Sequence, residues 1–196
     1  MKKIFTLLAF LCTIIGVGQN LMSPSEFLGY ELGTQFSRHH QVMDYYKYVS
    51  NTLANQVKLD TYGYTNERRP LVTAIISSAE NIKNLEAIRN AHLDNAKGSG
   101  NPDKAIVWLS YNVHGNESVS TEASMQTIYE LLTEKKGYLK KGYLENTVVI
   151  IDPCINPDGR DRYVNWYNEN KNTPNQVDPN SAEHHEGWLS GRANHY

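Results

Sequence analysis

Cysteine and positive charge are both scarce in this chain, and each shortage excludes a class of protein. Only two of the 196 residues are cysteine, and one of them, Cys12, lies in an apolar stretch at the N-terminus. Cys154 alone would remain if that stretch were removed, so a disulfide-stapled scaffold is not expected. The chain has 19 basic and 21 acidic residues, a net charge of −2. No basic stripe is present, and we expect no nucleic-acid partner.

The first 18 residues have the composition of an export signal. A positive start, Met1 to Lys3, precedes the apolar run from Ile4 to Val17, and small residues lie just before Gln19. The apolar run is too short to span a membrane comfortably. We therefore predict a signal peptide at 1–18, a single domain at 19–196 and a secreted or periplasmic protein with no membrane span after signal removal. The predicted mature chain has 17 basic and 21 acidic residues, a net charge of −4.

Hydrophobic periodicity predicts strands alternating with helices along most of the chain. Helical spacing covers 39–54 and 122–135, and Asn81 is a candidate N-cap for a helix that reaches His92. Strand patterns cover 57–62, 71–77 and 147–151, and the first two strands are close enough to form an antiparallel hairpin. This order predicts an α/β fold with a mixed β-sheet flanked by helices.

The strand pattern Ala105–Ser110 ends at a turn that carries two candidate metal ligands. The strand is apolar and is predicted to be buried, and His114 and Glu117 follow it three positions apart. Gly115 lets the backbone curl between them, and the hydroxyls from Ser118 onward could cap the next helix. Imidazole nitrogen and carboxylate oxygen both bind zinc, whose catalytic sites hold three protein ligands and a water. The turn could supply two of those three ligands.

A second motif, Asp152 to Arg160, follows the last predicted strand. Its two X-Pro steps favour extended backbone, and Asp158-Gly159 permits a tight reversal, so we predict a rigid loop. Functional residues of such sheets gather outside the carboxyl ends of the strands. The loop should therefore lie at the same edge as the turn that carries His114.

Together these motifs resemble the carboxypeptidase A-like zinc metallocarboxypeptidases. The resemblance rests on His114-x-x-Glu117 after a strand, on Asn156-Pro157-Asp158-Gly159 one strand later, and on a hairpin with Gly63, Thr65 and Arg69. It implies a carboxypeptidase-like α/β/α sandwich and a Zn²⁺ ion held partly by the first motif. It also implies hydrolysis of C-terminal residues from peptide or protein substrates by a zinc-activated water.

The resemblance further implies residues that this chain does not supply. Relatives use a third zinc ligand, a histidine, and a glutamate as general base, and no residue after Glu117 matches either in context. We expect the chain to be the N-terminal portion of a catalytic domain, incomplete at its C-terminus, with the base beyond Tyr196. Such a portion should be inactive alone.

The arginine that stabilises the oxyanion in relatives has several candidates here. Arg160 and Arg162 are the substrate-binding candidates by residue type, although Lys171 lies nearer the family's usual position. Alternatively, both arginines cap or pair on a helix predicted at 161–167.

Two other functions fit the same fold. One is a zinc-dependent deacylase of N-acyl amino acids, because His-Gly-Asn-Glu also resembles the aspartoacylase group. The other is a non-catalytic module that binds peptide or glycan through the aromatic residues of its tail. Glu183-His184-His185-Glu186 has the composition of a metal cluster, but we predict a solvated turn there.

Overall fold

The computed structural model describes residues 20–133 and 142–170. The predicted signal peptide and the tail from residue 171 onward lie outside these residues. No helix in the described ranges is long and apolar enough to cross a membrane. The helices are α1 Pro24–Leu28, α2 His39–Thr52, α3 Ala79–Lys83, α4 Leu85–Ala96, α5 Val119–Thr133 and α6 Pro157–Asn170, with a 3₁₀ turn at Tyr143–Glu145. The strands are β1 Val57–Tyr64, β2 Pro70–Ile76, β3 Ala105–Ser110 and β4 Thr147–Asp152.

The four strands form one mixed sheet in the order β1-β2-β4-β3. The pairs β1–β2 and β2–β4 are antiparallel, whereas β3 and β4 are parallel. A tight turn is enough to join β1 to β2, but the parallel pair needs a crossover, and α5 lies in that connection. The prediction of an α/β fold with a mixed sheet is confirmed.

The core lies between one face of the sheet and the helices α2 and α5. Val42, Tyr46 and Val49 of α2 are fully buried there, and they meet the sheet residues Ile76 and Ile151. Their spacing along α2 is the helical spacing seen in the sequence, which explains why this helix was predicted almost to its ends. Burial of this apolar stripe fixes α2 across the sheet.

Strand β3 differs from its prediction. It lies at the edge of the described sheet with β4 as its only neighbour, and Ile106, Val107 and Trp108 are 39%, 40% and 62% exposed. The prediction of a buried strand is therefore wrong for the described structure. An apolar sequence makes burial of a strand favourable. The position of the strand in the sheet decides whether other elements cover it.

Two element boundaries also differ from the sequence patterns. Ser78, not Asn81, caps the helix after β2, and a break at Asn84 separates α3 from α4. Asn81 is buried inside α3, where its amide nitrogen donates to the Ser77 hydroxyl and to the carbonyls of Leu144 and Glu145. Its role is to join α3 to the 3₁₀ turn before β4.

Candidate metal site at the ends of β3 and β4

The turn that carries His114 and Glu117 begins directly after β3. The Glu117 amide donates to the His114 carbonyl at 3.0 Å, which closes the turn just before α5. The His114 residue is half-buried, and Glu117 is exposed. Both candidate ligands therefore belong to one short turn at the carboxyl end of a strand, the position that the sequence indicated.

The second motif lies beside this turn on the neighbouring parallel strand. Ser110 of β3 is in register with Asp152 of β4, and the pairing continues past both strands through backbone hydrogen bonds. The Ile155 amide donates to the Tyr111 carbonyl at 3.0 Å, and the Asn156 amide donates to the Asn112 carbonyl at 3.2 Å. The prediction that turn and loop share one edge of the sheet is confirmed.

Gly115 allows the turn to touch the loop, and Gly159 leaves room for the Asn156 side chain within the loop. A Cβ atom on Gly115 would lie 2.2 Å from the carbonyl carbon of Gly159, and a Cβ on Gly159 would lie 2.6 Å from Nδ2 of Asn156. Backbone atoms cannot yield at such distances without moving the chain. Close approach of the Gly159 backbone, rather than an unusual φ angle, therefore requires glycine at position 115, whereas at position 159 the Asn156 side chain occupies the space of a Cβ.

Asn112 links the turn, α5 and the loop through one buried side chain. Its Nδ2 donates to the His114 carbonyl, and its Oδ1 faces the Thr121 hydroxyl at 3.0 Å and the Cys154 thiol at 3.5 Å. Thr121 also lies 3.0 Å from the Pro153 carbonyl, so its single proton can serve either oxygen while the thiol donates to Oδ1. Sequence reasoning missed Asn112, because nothing in the pattern marks an asparagine before the turn as a junction.

The serine hydroxyls after the turn do not act as predicted. Ser118 donates to the Gly115 carbonyl and Ser120 to the Glu117 carbonyl, each at 2.8 Å. The two hydroxyls thus satisfy carbonyl oxygens of the turn, whereas a cap would accept from free amides of the helix. Their effect is to tie the turn to the first residues of α5.

The β1–β2 hairpin fixes the loop from its other side. Asp158 accepts hydrogen bonds from the Thr65 hydroxyl and the Arg69 guanidinium, both at 2.7 Å, and from the Glu67 amide at 3.3 Å. Burial alone would raise the pKa of Asp158, but these donors outweigh it and hold the pKa below its usual value. The Gly63-x-Thr65-x-x-x-Arg69 hairpin therefore anchors the Asn-Pro-Asp-Gly loop.

Arg160 lies inside the protein rather than at its surface. Its guanidinium donates to Glu122 of α5 at 2.7 Å and to the Ser37 carbonyl at 2.6 Å, and no part of its side chain is exposed. Ser37 also donates its amide and its hydroxyl to the Glu122 carboxylate, at 2.7 and 2.8 Å. Arg160 is therefore paired, as the alternative prediction had it, but its partners are Ser37 and Glu122 of α5 and not residues of the helix predicted at 161–167.

The other predicted residues are less constrained by the structure. Arg162 is half-buried on α6, and its proposed contact with substrate stays a prediction. α6 begins at Pro157 and reaches Asn170, so it includes part of the motif predicted to be a loop. Lys171 and the cluster Glu183-His184-His185-Glu186 lie outside the described residues.

His114 and Glu117 fit zinc by donor type but do not complete a site. In residues 20–133 and 142–170, no group of three or more His, Cys, Asp or Glu side chains is placed to hold a metal ion. A catalytic zinc site with three protein ligands would therefore need at least one ligand from outside these ranges. The turn places two side chains of suitable donor type on one anchored segment.

A comparison with protein families gives a match over most of the chain. The model of the family described as zinc carboxypeptidase matches residues 42–195, which include the hairpin, the turn and the loop. The chain belongs to the zinc carboxypeptidase family. A search among curated proteins gives no match.

Solved structures of carboxypeptidases share the fold of this family member. The carboxypeptidase A of Helicoverpa armigera is 19% identical with a TM-score of 0.51, and the match covers 72% of this chain and 34% of that one. Thrombin activatable fibrinolysis inhibitor is 15% identical with a TM-score of 0.51, covering 71% of this chain and 31% of the other. The chain spans about a third of the length of these structures. At these identities the likeness shows the fold alone.

Proposed function

We propose that the protein is a secreted zinc metallocarboxypeptidase that removes C-terminal residues from peptides or proteins. The observation that supports this best is the contact between the two motifs. The turn with His114 and Glu117 lies against the loop with Asn156 and Gly159 at the carboxyl ends of adjacent parallel strands. Membership of the zinc carboxypeptidase family supports the same reaction class.

In this proposal His114 and Glu117 hold the zinc ion with a third ligand from outside the described residues. Bound zinc lowers the pKa of a coordinated water and polarises the scissile carbonyl. The backbone of the turn keeps its two ligands on a short, closed segment, which limits how far either side chain can drift. The general base is also supplied from outside the described ranges.

The test uses the full-length protein with His114→Ala and Glu117→Gln variants. Wild-type protein should bind about one zinc per chain by elemental analysis and hydrolyse peptides with a free C-terminal carboxylate. Both variants should lose zinc and activity. The matched control is His40→Ala, since His40 is an exposed histidine on α2. Undiminished hydrolysis by the His114→Ala variant would contradict the proposal.

The substrate panel separates the proposed reaction from deacylation. Peptides with free and with amidated C-termini are assayed beside N-acyl amino acids. A carboxypeptidase should cleave the free peptides and reject the amidated ones. Cleavage of N-acyl amino acids alone would favour the deacylase.

Export is a separate part of the proposal. It rests on the positive and apolar composition of residues 1–18, which lie outside the described structure. N-terminal sequencing of protein recovered from outside the cytoplasm should begin at Gln19. A protein that keeps Met1 and stays in the cytoplasm would contradict export but not the hydrolase activity.

A further inference from the structure

We infer that Asn112 is a positioning residue that fixes the metal-binding turn through the carbonyl of His114. The inference rests on the proposed function, because the aim of His114 matters to the reaction only if it holds zinc. Asn112 is 3% exposed and lies between β3 and the turn. It does not face solvent, so it acts through the turn and not on a substrate.

The backbone at Asn112 sets the direction in which the chain leaves β3. Its φ angle is +55°, in the left-handed region, and Arg68 is the only other non-glycine residue of the described ranges with a positive φ. Asparagine adopts this conformation more readily than most residues, because its short polar side chain can bond locally. The Asn112 carbonyl then accepts the Asn156 amide at 3.2 Å, so the change of direction is tied to the loop beside β4.

The side chain of Asn112 fixes the peptide that follows His114. The His114 carbonyl accepts from Nδ2 of Asn112 and from the Glu117 amide, so two donors hold one peptide plane from opposite ends of the turn. On the other side of the amide, Oδ1 is held by Thr121 of α5 and by Cys154 of the loop. If the His114 peptide moved and Asn112 followed it, the hydrogen bonds of Oδ1 with Thr121 and Cys154 would break as well.

This arrangement predicts an effect on metal affinity that is separate from stability. Zinc holds an imidazole nitrogen at about 2.0–2.1 Å, so a small shift of the turn weakens binding. Loss of groups that orient metal ligands lowers metal affinity or activity by roughly 10- to 100-fold. A buried asparagine elsewhere should affect folding but leave zinc affinity unchanged.

The test compares zinc affinity in the full-length Asn112→Asp, Asn112→Gly and Asn81→Asp variants. Asn112→Asp keeps Oδ1 but places a carboxylate oxygen against the His114 carbonyl. Asn112→Gly permits the left-handed backbone and removes every side-chain bond. Asn81→Asp is the matched control, because Asn81 is also buried and donates to three oxygens near the start of β4.

Zinc affinity is measured by competition with a chelator, and the urea midpoint of each variant is measured in parallel. Both Asn112 variants should bind zinc roughly 10- to 100-fold more weakly than wild type. Asn81→Asp should lower the urea midpoint and keep wild-type zinc affinity. If Asn112→Asp does not fold, Asn112→Gly decides the question.

The outcomes separate this inference from the proposed function. A wild-type protein that binds zinc, together with Asn112→Gly of unchanged affinity, overturns the role of Asn112 and leaves the proposed function intact. Equal losses of affinity in Asn81→Asp and Asn112→Gly also overturn it, because the effect would then follow general stability. A wild-type protein that binds no zinc overturns both.

Discussion

Two strand–loop–helix units lie side by side in this sheet, and they differ in burial. The β3 unit, residues 105–133, has an exposed strand and an exposed Glu117, whereas the β4 unit, residues 147–170, buries most of its strand and its motif. The strands are both apolar and are paired in parallel register. The buried motif of the β4 unit holds the carboxyl-end edge of the sheet in place, and the candidate metal ligands lie on the β3 unit at that same edge.

This difference shows that one segment, the β4 motif, is held by buried contacts, while its neighbour, the β3 turn, keeps the candidate ligands accessible. Asp158 and Arg160 of the β4 unit are charged, yet they are buried and engaged by the hairpin and by α5. The candidate ligands of the β3 unit are the more accessible ones. Mutations in the strand and motif of the β4 unit should therefore mainly lower stability, whereas mutations in the turn of the β3 unit should mainly weaken metal binding.

The largest effect is expected from Arg160→Ala in the β4 unit. Removing one partner of a buried ion pair leaves the Glu122 charge uncompensated, which costs about 3–5 kcal/mol of unfolding free energy. Arg160→Met combined with Glu122→Leu should recover only part of that loss, because it removes the buried charge but leaves the buried Ser37 amide without its acceptor. Urea unfolding measures both variants, with Arg89→Ala as a control, because Arg89 forms an exposed pair with Glu86. Unchanged stability with a raised KM would instead support the substrate-binding prediction for Arg160.

A matched pair of isoleucines tests the contrast between the strands directly. Ile151→Ala removes a fully buried side chain of β4 and should cost about 3 kcal/mol, within the usual range for such truncations. Ile106→Ala, in the exposed β3, should cost less than about 1 kcal/mol. Urea unfolding of both variants gives the comparison. A loss at Ile106 as large as that at Ile151 would show that a further segment covers β3.

Gly115→Ala tests the joint between the two units. The new Cβ would collide with the backbone of Gly159, and overpacking of this kind costs about 1–3 kcal/mol. Zinc affinity should fall with it, since the turn must move away from the loop. Gly63→Ala is the control, because its Cβ would meet only the Leu71 side chain at 3.8 Å. Wild-type stability and affinity in Gly115→Ala would show that the two backbones can separate freely.

An effect that appears only on acidification is expected from His39 at the start of α2. Burial lowers the pKa of His39 to about 4, with opposition from the Asp161 carboxylate and support from the guanidinium groups of Arg160 and Arg69. The unfolded chain has the ordinary value of 6.5 and so binds more protons between pH 6.5 and 4. Stability should therefore fall on acidification through that window, by at most about 1.4 kcal/mol per pH unit.

His39→Phe removes this titration, and urea unfolding at several pH values from 6.5 to 4 measures the change. The variant should show a flatter dependence of unfolding free energy on pH than the wild type does. An equal slope in both proteins would assign the acid sensitivity to titratable groups other than His39.

The sequence predicted most helices and strands, but not always which side chains are buried or which residues cap the helices. The regular spacing of Val42, Tyr46 and Val49 identified α2, and the adjacent strands 57–62 and 71–77 identified the hairpin. Asn81 was misassigned because the hydroxyl of Ser78 competes for the same capping role three residues earlier. Local pattern cannot show which of two polar residues caps a helix and which turns inward.

Only the part of the candidate site that depends on local sequence could be predicted. His114 and Glu117 carry a local spacing that can be found without coordinates, whereas the partners of Arg160 lie at Ser37 and Glu122, far away in the chain. The role of Asn112 likewise depends on residues from α5 and from the loop after β4. Contacts between distant segments leave no periodic signal in the sequence.

The sequence by itself determined the order of strands and helices, the two motifs and the family to which they point, because each of these depends on neighbouring residues. Only the tertiary structure decided which apolar strand is covered and which charged side chains are buried. Those outcomes depend on the sheet order β1-β2-β4-β3 and on the close approach of Gly115 to Gly159. Whether a residue is buried depends on its position in the packed molecule. The chemistry of its side chain sets only the free-energy cost of that burial.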